Sequence, residues 1–288
     1  MKLILGTVQL GKKYSKFTED KVDNDEAIKI LNHCIKNNIL TFDTAQVYGN
    51  SEELLSNISD KNNVRIITKI HFTDKMNSVD SINRSLTSLK LKKLDTVMFH
   101  NYEDFQDKNI VNDLIIEKSK GVIKKLGVSV YTVEEAIDVL KSKEFSVLQI
   151  PFNYLDRQWD NTEFLNLINQ RNDIEIHIRS IFLQGILVNE HKYWPSVDNY
   201  NTKIIFDNIE NICQKYNLTK IELLVRYSLS FDWISGILFG VDSFKQLEEN
   251  INLFNDSTLL SQFSKELMDE IKDTFKNIPK KLTDPRLW

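Results

Sequence analysis

Short runs of apolar and β-branched residues recur along the chain, and each is followed by polar turn residues and a longer segment with apolar positions at helical spacing. Two of these runs, at 64–70 and 147–150, are apolar on both faces, as expected of strands that are covered on both sides. The pattern predicts eight strands: Leu3–Leu5, Leu40–Asp43, Arg65–Lys69, Thr96–His100, Leu126–Val130, Val147–Ile150, Glu175–Arg179 and Ile237–Gly240.

Six of the segments between or after these runs begin with the spacing of a capping box, in which two side chains three residues apart satisfy the first backbone amides of a helix. The pairs are Asp23 with Glu26, Asn50 with Glu53, Thr132 with Glu135, Asp160 with Glu163, Thr219 with Glu222 and Ser243 with Gln246. Further helical segments at 203–216 and 218–229 precede the last strand, and another at 264–275 follows the last barrel helix. The tail at 280–288 is expected to be irregular.

Strands that alternate with helices through short connections form a parallel sheet. Eight such strands can close into a barrel that has no edge strand, so the predicted α/β fold is the (β/α)8 TIM barrel. A doubly wound open sheet is the alternative. The chain has eight glycines, and no two are separated by a single residue, so the GxGxxG fingerprint of that alternative is missing. Because no Pro-, Gly- or Ser-rich linker divides the chain, we expect a single domain over residues 1–288, with extra helices before the eighth strand and at the C-terminus.

At 288 residues, with 41% hydrophobic and 27% charged side chains, the chain has the composition of a soluble enzyme. Its 37 basic and 41 acidic residues are spread along the sequence, which argues against a nucleic-acid partner. No apolar run is long enough for a membrane span or a signal peptide, and Cys34 and Cys213 lie far apart in apolar segments. We therefore expect a cytoplasmic protein, a monomer or a weak homo-oligomer, without membrane contact.

Ionisable residues stand at the carboxyl ends of consecutive predicted strands, the end at which barrel enzymes carry their sites. Asp43 ends the second strand, Lys69 the third and His100 the fourth, and Tyr48 follows Asp43 by five residues. An ammonium beside a phenol lowers the phenol pKa, which would make Tyr48 a general acid for a carbonyl oxygen. In this hypothesis Asp43 charge-balances Lys69, and His100 polarises the carbonyl by a hydrogen bond. Taken singly, each residue is more typical of a structural or solvated side chain.

The stretch TFDTAQVYGNSEELL at 41–55, with ITKI around Lys69 and VMFHN around His100, resembles the aldo-keto reductase family, whose catalytic tetrad is a strand-end Asp, a loop Tyr, a Lys and a His. The resemblance covers nearly the whole chain and extends to LGTVQLG at 5–11, KKLGVSVYTVEEA at 124–136, VLQIPFNYLDR at 147–157, RSIFLQGIL at 179–187 and FGVDSFKQLEEN at 239–250. It implies a (β/α)8 barrel and reversible hydride transfer between NADP or NAD and a carbonyl or alcohol, with Tyr48 as the proton donor.

The resemblance also implies where the cofactor lies. Ser129 and Gln149 correspond to positions that bind the nicotinamide carboxamide, although strand-end polar groups that cap a loop would look the same. The other implied contacts are in the opening loop, the pyrophosphate loop after the seventh strand and the adenosine ribose site after the eighth: Gly6, Thr7, Arg179, Ser180, Leu183, Gly185, Gly240, Asp242, Ser243, Gln246 and Asn250.

Several positions depart from the family pattern. Val130 stands where many members have Asn, and Arg179 stands where many have an aromatic residue that stacks on the nicotinamide, although a guanidinium can also stack. Asp242 and Gln246 stand where NADP-preferring members have basic residues. A carboxylate repels a 2′-phosphate but accepts a hydrogen bond from a free 2′-hydroxyl, so we expect a weakened NADP preference and use of NAD. The nearby Lys245 could offset this effect.

Three functional hypotheses follow. The first is an NAD(P)H-dependent oxidoreductase that reduces an aldehyde, a ketone or a sugar-like carbonyl without a metal, since the chain has no His-x-His pair. The second is a cofactor-binding regulatory or sensor subunit with little turnover, and the third is a lyase or isomerase that uses Lys69. Retention of the whole tetrad favours the first. The candidate substrate-lining residues include a polar, partly basic set that would suit a hydroxylated or phosphorylated small molecule: Asn101, Tyr102, Tyr154, Arg157 and Lys192. Trp194 and Trp288 are further candidates for lining the substrate pocket.

Overall fold

A computed structural model describes residues 2–14, 20–61, 63–72, 77–256 and 263–288. Eight parallel strands pair in chain order, and β1 pairs with β8, so the sheet is a closed barrel. The predicted (β/α)8 fold is confirmed. The bounds of the strands differ from the prediction by at most three residues, because pairing with a neighbour, not apolar character, decides where a strand ends. The strands are β1 Lys2–Gly6, β2 Thr41–Ala45, β3 Arg65–Ile70, β4 Leu94–Phe99, β5 Ile123–Ser129, β6 Phe145–Pro151, β7 Glu175–Arg179 and β8 Gly236–Phe239.

Helices surround the barrel and bury their apolar faces against the outward side chains of the strands. The described helices are α1 Val8–Gly11, α2 Asn24–Lys36, α3 Ser51–Leu55, α4 Ser78–Leu89, α5 Tyr102–Gln106, α6 Lys108–Ser119, α7 Val133–Lys141, α8 Thr162–Gln170, α9 Thr202–Tyr216, α10 Lys220–Leu229, α11 Phe244–Asn255, α12 Lys265–Thr274 and α13 Lys280–Thr283. The predicted extra helices are present as α9, α10 and α12. None of the helices in the described ranges is long and apolar enough to cross a membrane.

The C-terminal tail differs from the prediction of an irregular segment. It contains α13 and a 3-10 helix at Pro285–Leu287. Leu282 is fully buried, and the Trp288 indole Nε1 donates a 2.9 Å hydrogen bond to the carbonyl of Lys281. Tertiary packing of these two side chains therefore orders a segment whose local composition favours turns.

Two of the predicted capping boxes form in full. The hydroxyl groups of Thr132 and Thr219 accept from the amides of Glu135 and Glu222, whose side chains return a bond to the N-cap amides. Ser243 caps α11 by accepting from the amide of Gln246 at 3.2 Å. These three helices therefore begin where the sequence predicts.

The other three boxes do not form as predicted. Glu26 accepts from the backbone amide of Phe244 at 2.8 Å and so joins α2 to α11 instead of capping its own helix. Asn50 precedes α3 without a side-chain cap bond. Asp160 lies in a 3-10 helix, and the side chain of Asn161 caps α8 by accepting from Phe164. In each case a partner outside the local window, or a turn that shifts the register by one residue, replaces the local bond.

The interior of the barrel is layered, because alternate residues of each strand point inward. A small apolar cluster of Ile67, Met98 and Val147 fills the middle. Two residues further along β3 and β6, the inward positions are Lys69 and Gln149, at the carboxyl ends of the strands. The apolar layer thus separates the polar mouth from the opposite end of the barrel.

That opposite end is closed by an ionic network centred on Glu175, which accepts from Arg65, Lys125 and the buried His177. Burial raises the pKa of Glu175, but the hydrogen bonds from His177, Arg65 and Lys125 outweigh it and hold the pKa well below its usual range. Burial lowers the pKa of His177. The network joins β3, β5 and β7, so it ties together strands that are not neighbours in the sheet.

Replacing Glu175 by Gln tests this network. Because the folded pKa values of Glu175 and His177 are both depressed, their stabilisation is present above the unfolded values of about 4.3 and 6.5 and is lost as the pH falls. We expect Glu175→Gln to lower the free energy of unfolding by roughly 2–3 kcal/mol at pH 7, with a smaller difference from wild type at pH 3–4. Urea unfolding at several pH values measures this, with the exposed Glu248→Gln as the control. A deficit that is the same at every pH would contradict the ionic role.

Candidate active site

The carboxyl ends of β2 and β3 bring Asp43 and Lys69 together inside the barrel. The two strands pair in register at Ala45 and Lys69, and the Lys69 Nζ donates to the Asp43 Oδ1. Both side chains are almost fully buried, with exposures of 2% and 1%. From β6, the Gln149 Nε2 donates to the other carboxylate oxygen of Asp43 at 2.9 Å. Since both oxygens of Asp43 are engaged by donors, the carboxylate is held in one orientation.

Tyr48 lies directly beside this pair, on the loop that follows β2. The Lys69 Nζ is 5.3 Å from the centroid of the Tyr48 ring, and the His100 ring meets the Tyr48 ring edge-on with a centroid separation of 5.6 Å. The backbone amide of His100 donates to the carbonyl of Ile70, which fixes the end of β4 against β3. The structure thus brings the four residues of the sequence hypothesis into one cluster.

Two glycines determine where the Tyr48 loop lies. Gly49 has a left-handed backbone with φ +61°, and a Cβ there would be 2.2 Å from the Gly11 carbonyl oxygen. A Cβ on Gly11 would in turn lie 1.9 Å from the Tyr48 carbonyl oxygen. The Ser51 hydroxyl spans the same contact, donating to the carbonyl of Thr7 at 2.7 Å. The loops after β1 and β2 therefore touch backbone to backbone, which is possible only without side chains at these glycines.

The pKa directions differ in part from the sequence hypothesis. Burial and the Asp43 carboxylate raise the pKa of Tyr48 well above its ordinary value, whereas Arg179 lowers it. This net direction is opposite to the lowering of the Tyr48 pKa that the sequence hypothesis expects, and the Lys69 ammonium is paired with Asp43. Burial lowers the pKa of Lys69 despite that bond, and burial together with Lys69 and Arg179 lowers the pKa of His100 to about 3. At neutral pH the phenol is therefore protonated and the imidazole is neutral.

The residues proposed for the opening cofactor loop lie against this cluster. Thr7 donates twice to the backbone carbonyl of Asp43, from its amide at 2.9 Å and from its hydroxyl at 3.0 Å. Gly6 ends β1 in register with Asp43. Gly240 follows β8, and a Cβ there would lie 2.4 Å from the side chain of Gln9. Ser129 and Gln149, proposed for the carboxamide, are paired across β5 and β6 and are both buried.

The loop after β7 has an unusual backbone. Ser180, Leu183 and Gln184 have φ values of +61°, +47° and +52°, and Gly185 has +87°. Such conformations are strained in residues other than glycine and are concentrated at binding sites. Leu183 is fully buried, so its side chain anchors the loop rather than facing a ligand. The left-handed residues at 183–185 are flanked by the right-handed Phe182 and Ile186, and anion-binding nests are likewise formed by neighbouring right- and left-handed residues.

At the end of β8, the start of α11 uses the residues proposed for the adenosine site. Ser243 caps the helix, and the Gln246 Oε1 accepts from the Asp242 amide at 2.7 Å. The Asn250 side chain is buried, and Lys245 lies 3.7 Å from Glu249. Ser243, Gln246 and Lys245 thus have partners within the helix, as surface caps do.

Sequence reasoning named Arg179 but missed the side chains that surround it at the mouth. The Arg179 Cζ is 4.1 Å from the centroid of the Tyr131 ring, and the Arg286 Cζ is 3.4 Å from the same ring. Lys12 also reaches the mouth, with its Nζ 5.8 Å from the Tyr48 ring centroid. Lys12, Tyr131 and Arg286 come from distant parts of the chain, so no local signal indicates that they meet beside Arg179.

The model of the aldo/keto reductase family matches residues 2–273. The chain belongs to the aldo/keto reductase family. It is 24% identical over 274 residues to D-arabinose 1-dehydrogenase of Saccharomyces cerevisiae, covering 85% of this chain and 80% of that protein. An aldo-keto reductase from Bacillus halodurans, in its holo form, has a similar fold, with a TM-score of 0.78 and 18% identity over 98% of this chain and 95% of that chain.

Membership of the aldo/keto reductase family makes the protein an oxidoreductase. Nicotinamide cofactors serve this family, and the resemblance noted in the sequence is confirmed. Among the described residues, no group of three or more His, Cys, Asp or Glu side chains is placed to hold a metal ion.

Two of the candidate substrate-lining residues have their contacts in the helical layer. Tyr154 is fully buried against Tyr227 and Phe275, outside the barrel. Arg157 bonds to the Tyr227 hydroxyl and to Asp160. Strand alternation explains the position of Tyr154: a residue just beyond a strand can point outward into the helical layer as readily as inward.

The remaining candidates are engaged in local contacts. Trp194 is buried, with its Nε1 donating to the carbonyl of Ile186 at 2.8 Å, and the exposed Lys192 pairs with Glu190. The Tyr102 hydroxyl donates to Asp138, and the Asn101 side chain caps α5. Trp288 packs against the core and caps the tail, as described above.

Replacing Gly49 by Ala tests the contact between the two loops. The matched control is Gly121→Ala, because Gly121 has φ +74° but a Cβ at that residue would meet no atom within 4 Å. We expect Gly121→Ala to lower the free energy of unfolding by about 1 kcal/mol through backbone strain alone. Gly49→Ala should lose roughly 2–3 kcal/mol more, since the Gly11 carbonyl must move. Urea unfolding measures both; equal losses in the two variants would show that the loops do not touch as described.

Proposed function

We propose that the protein is an NAD(P)H-dependent reductase of aldehydes, ketones or sugar-like carbonyls, in which Tyr48 donates the proton. The observation that carries the proposal is the cluster itself: a protonated phenol beside a buried ammonium and a neutral imidazole at the mouth of the barrel. A protein that only bound a nucleotide would need the groove but not this cluster. The name of the yeast relative concerns a sugar, which supports sugar-like carbonyls among the substrates.

The residues around the mouth fit a nicotinamide cofactor. The Oε1 of Gln149 is buried and has no hydrogen-bond partner in the described part of the chain, while the amide nitrogen of the same side chain bonds Asp43. An orphaned buried acceptor of this kind suits the amide group of a carboxamide, and the buried Ser129 lies opposite in register. The left-handed loop at 180–185 suits the pyrophosphate. When bound, the cofactor supplies or accepts the hydride.

The other residues that would hold the cofactor follow from their places around the groove. Gly6 ends β1 and Thr7 follows it, Ser180 begins the loop at 180–185, which Arg179 precedes, and Gly240 follows β8. The ribose site after β8 would be formed by Asp242, Ser243, Gln246 and Asn250, with Leu183 and Gly185 shaping the loop that faces it.

The chain's own groups can carry out the proton transfer. A carbonyl oxygen bound between Tyr48 and His100 would accept hydrogen bonds from the phenol and from the Nε2–H of the neutral imidazole, whose Nδ1 is buried without a partner in the described ranges. As the carbonyl carbon gains a hydride, its oxygen takes the proton from the Tyr48 Oη, and the alcohol leaves. The phenolate that remains lies beside the Lys69 ammonium, which stabilises it. Asp43 keeps Lys69 in place and balances its charge until that moment.

The same proposal includes a cytoplasmic protein that acts on small molecules as a monomer or a weak homo-oligomer. Cys34 and Cys213 are both buried free thiols, which fits a reducing compartment. Cofactor choice depends on the start of α11, where Asp242 places a carboxylate beside the proposed ribose site.

Removing the Tyr48 hydroxyl tests the proton donor. We expect Tyr48→Phe to reduce kcat for an aldehyde by about 10²–10⁴-fold, because the general acid is lost, while the cofactor Kd changes little. Steady-state reduction of an aldehyde panel and fluorescence titration with NADH and NADPH measure the two effects. Tyr200→Phe, at an exposed position outside the Tyr48 cluster, is the control. Turnover of Tyr48→Phe at the wild-type rate would refute the mechanism.

Removing the Asp242 carboxylate tests cofactor choice. Since that charge repels a 2′-phosphate, we expect Asp242→Ala to improve the Kd for NADPH relative to NADH by roughly 10-fold. The exposed Glu248→Ala, further along α11, should leave the ratio unchanged. A wild-type preference for NADPH that Asp242→Ala does not alter would show that repulsion plays no part.

A further inference from the structure

Arg179 is placed at the mouth by the alternation of β7. It is the last residue of the strand and lies two positions after His177, so it shares the inward face. Its guanidinium extends past the end of β6 to the end of β5, where Nη2 donates to the Val130 carbonyl at 3.1 Å. Its Nη1 lies 3.4 Å from the Ser180 hydroxyl. The side chain therefore spans the rim above Gln149 and leaves further N–H donors available at the mouth.

Arg179 and Arg286 both stack on the Tyr131 ring, but they differ in whether a carboxylate pairs with the guanidinium. Arg286 pairs with the Asp284 carboxylate through its Nη2 at 2.7 Å and its Nε at 2.9 Å. For Arg179, no carboxylate partner occurs in the portion of the chain that the structure describes. Tyr131 thus holds the Arg179 guanidinium in place without neutralising it.

A second cation faces the same space. Lys12, on the loop after β1, approaches the Tyr48 ring and has no ion-pair partner across the described segments. Because Lys69 and Asp43 neutralise each other, Arg179 and Lys12 leave the mouth with excess positive charge. Both cations contribute to the lowered pKa of His100, which shows that their field reaches the reacting groups. The Glu135 carboxylate nearby is occupied by the amides of Tyr131 and Thr132.

We propose that Arg179, assisted by Lys12, binds an anionic group, a carboxylate or a phosphate, on the carbonyl substrate. The inference rests on the proposed reductase function and narrows its substrate class. A planar guanidinium that is held in place by an aromatic ring is preorganised for a two-point contact with such a group. An uncompensated positive cleft also concentrates anionic substrates at the mouth.

The pyrophosphate of the cofactor is a second anion that has to be distinguished from an anionic substrate, because Arg179 leads into the loop at 180–185. The two anions make different predictions. An arginine that serves the cofactor affects every substrate equally and weakens cofactor binding, whereas an arginine that serves the substrate discriminates between charged and neutral carbonyls.

The test compares 4-carboxybenzaldehyde with 4-formylbenzamide, which have the same shape and differ in charge. We expect Arg179→Gln to raise the KM for the carboxylate by about 10–100-fold and that for the amide by less than about 3-fold, with little change in kcat. Lys12→Gln should shift the same ratio by a smaller factor, and Arg179→Lys should restore part of it. Lys93→Gln removes an exposed charge before β4, at the opposite end of the barrel, and should have no effect.

Three results would overturn the proposal. One is an unchanged ratio of KM values for the two aldehydes in Arg179→Gln. Another is an equal loss with both aldehydes together with a weaker Kd for NADH and NADPH in fluorescence titrations, which would assign Arg179 to the cofactor. If the wild type reduces neither aldehyde, the reductase proposal fails. The anion site is then tested separately, by calorimetric titration of the wild type and Arg179→Gln with 4-carboxybenzyl alcohol and with its amide. In this titration, tighter binding of the carboxylate than of the amide by the wild type, lost in Arg179→Gln, supports the anion site. Equal binding of the two compounds by the wild type is the third result that would overturn the proposal.

Discussion

The Asp43 carboxylate is the point on which the geometry of the mouth depends. Its side chain accepts from Lys69 of β3 and Gln149 of β6, while its backbone carbonyl accepts twice from Thr7 after β1. One residue of β2 therefore links its two neighbouring strands and a strand on the far side of the barrel. A carboxylate this deeply buried is stable only with such a set of donors, and those donors are in turn held in fixed positions.

The two ends of the barrel use buried charge for different purposes. At the amino end, Glu175 accepts from Arg65, Lys125 and His177, so its carboxylate is paired by protein groups. Within the described residues, buried polar atoms without a partner occur at both ends: Gln149 Oε1 and His100 Nδ1 at the mouth, and His177 Nδ1 at the amino end. The paired Glu175 carboxylate contributes stability, whereas the unpaired Gln149 acceptor at the mouth is available to a ligand. The apolar layer between them keeps the two apart.

The loops around the mouth follow the same division between support and chemistry. Gly11 and Gly49 allow two backbones to touch. This contact fixes Tyr48 beside the Lys69 ammonium and the His100 imidazole, so its hydroxyl does not have to be hydrogen-bonded to hold the side chain in position. Arg179 is fixed by stacking rather than by a counter-charge. In both cases the reactive or charged atoms remain available because packing, not pairing, holds the side chain. This is how the site can combine a rigid geometry with an unsatisfied charge.

The sequence by itself determined the strand–helix alternation and the closed barrel, and it predicted the cluster of Asp43, Tyr48, Lys69 and His100, because periodicity and strand-end position are local properties of the chain. Two helix caps were equally local, at Thr132 and Thr219. The tertiary structure decided the rest. Only folding brings Tyr131 against both Arg179 and Arg286, turns Tyr154 into the helical layer and gives Glu26 a partner in α11. These contacts join residues far apart in the chain, and the free energy of such contacts depends on distances that no sequence pattern records.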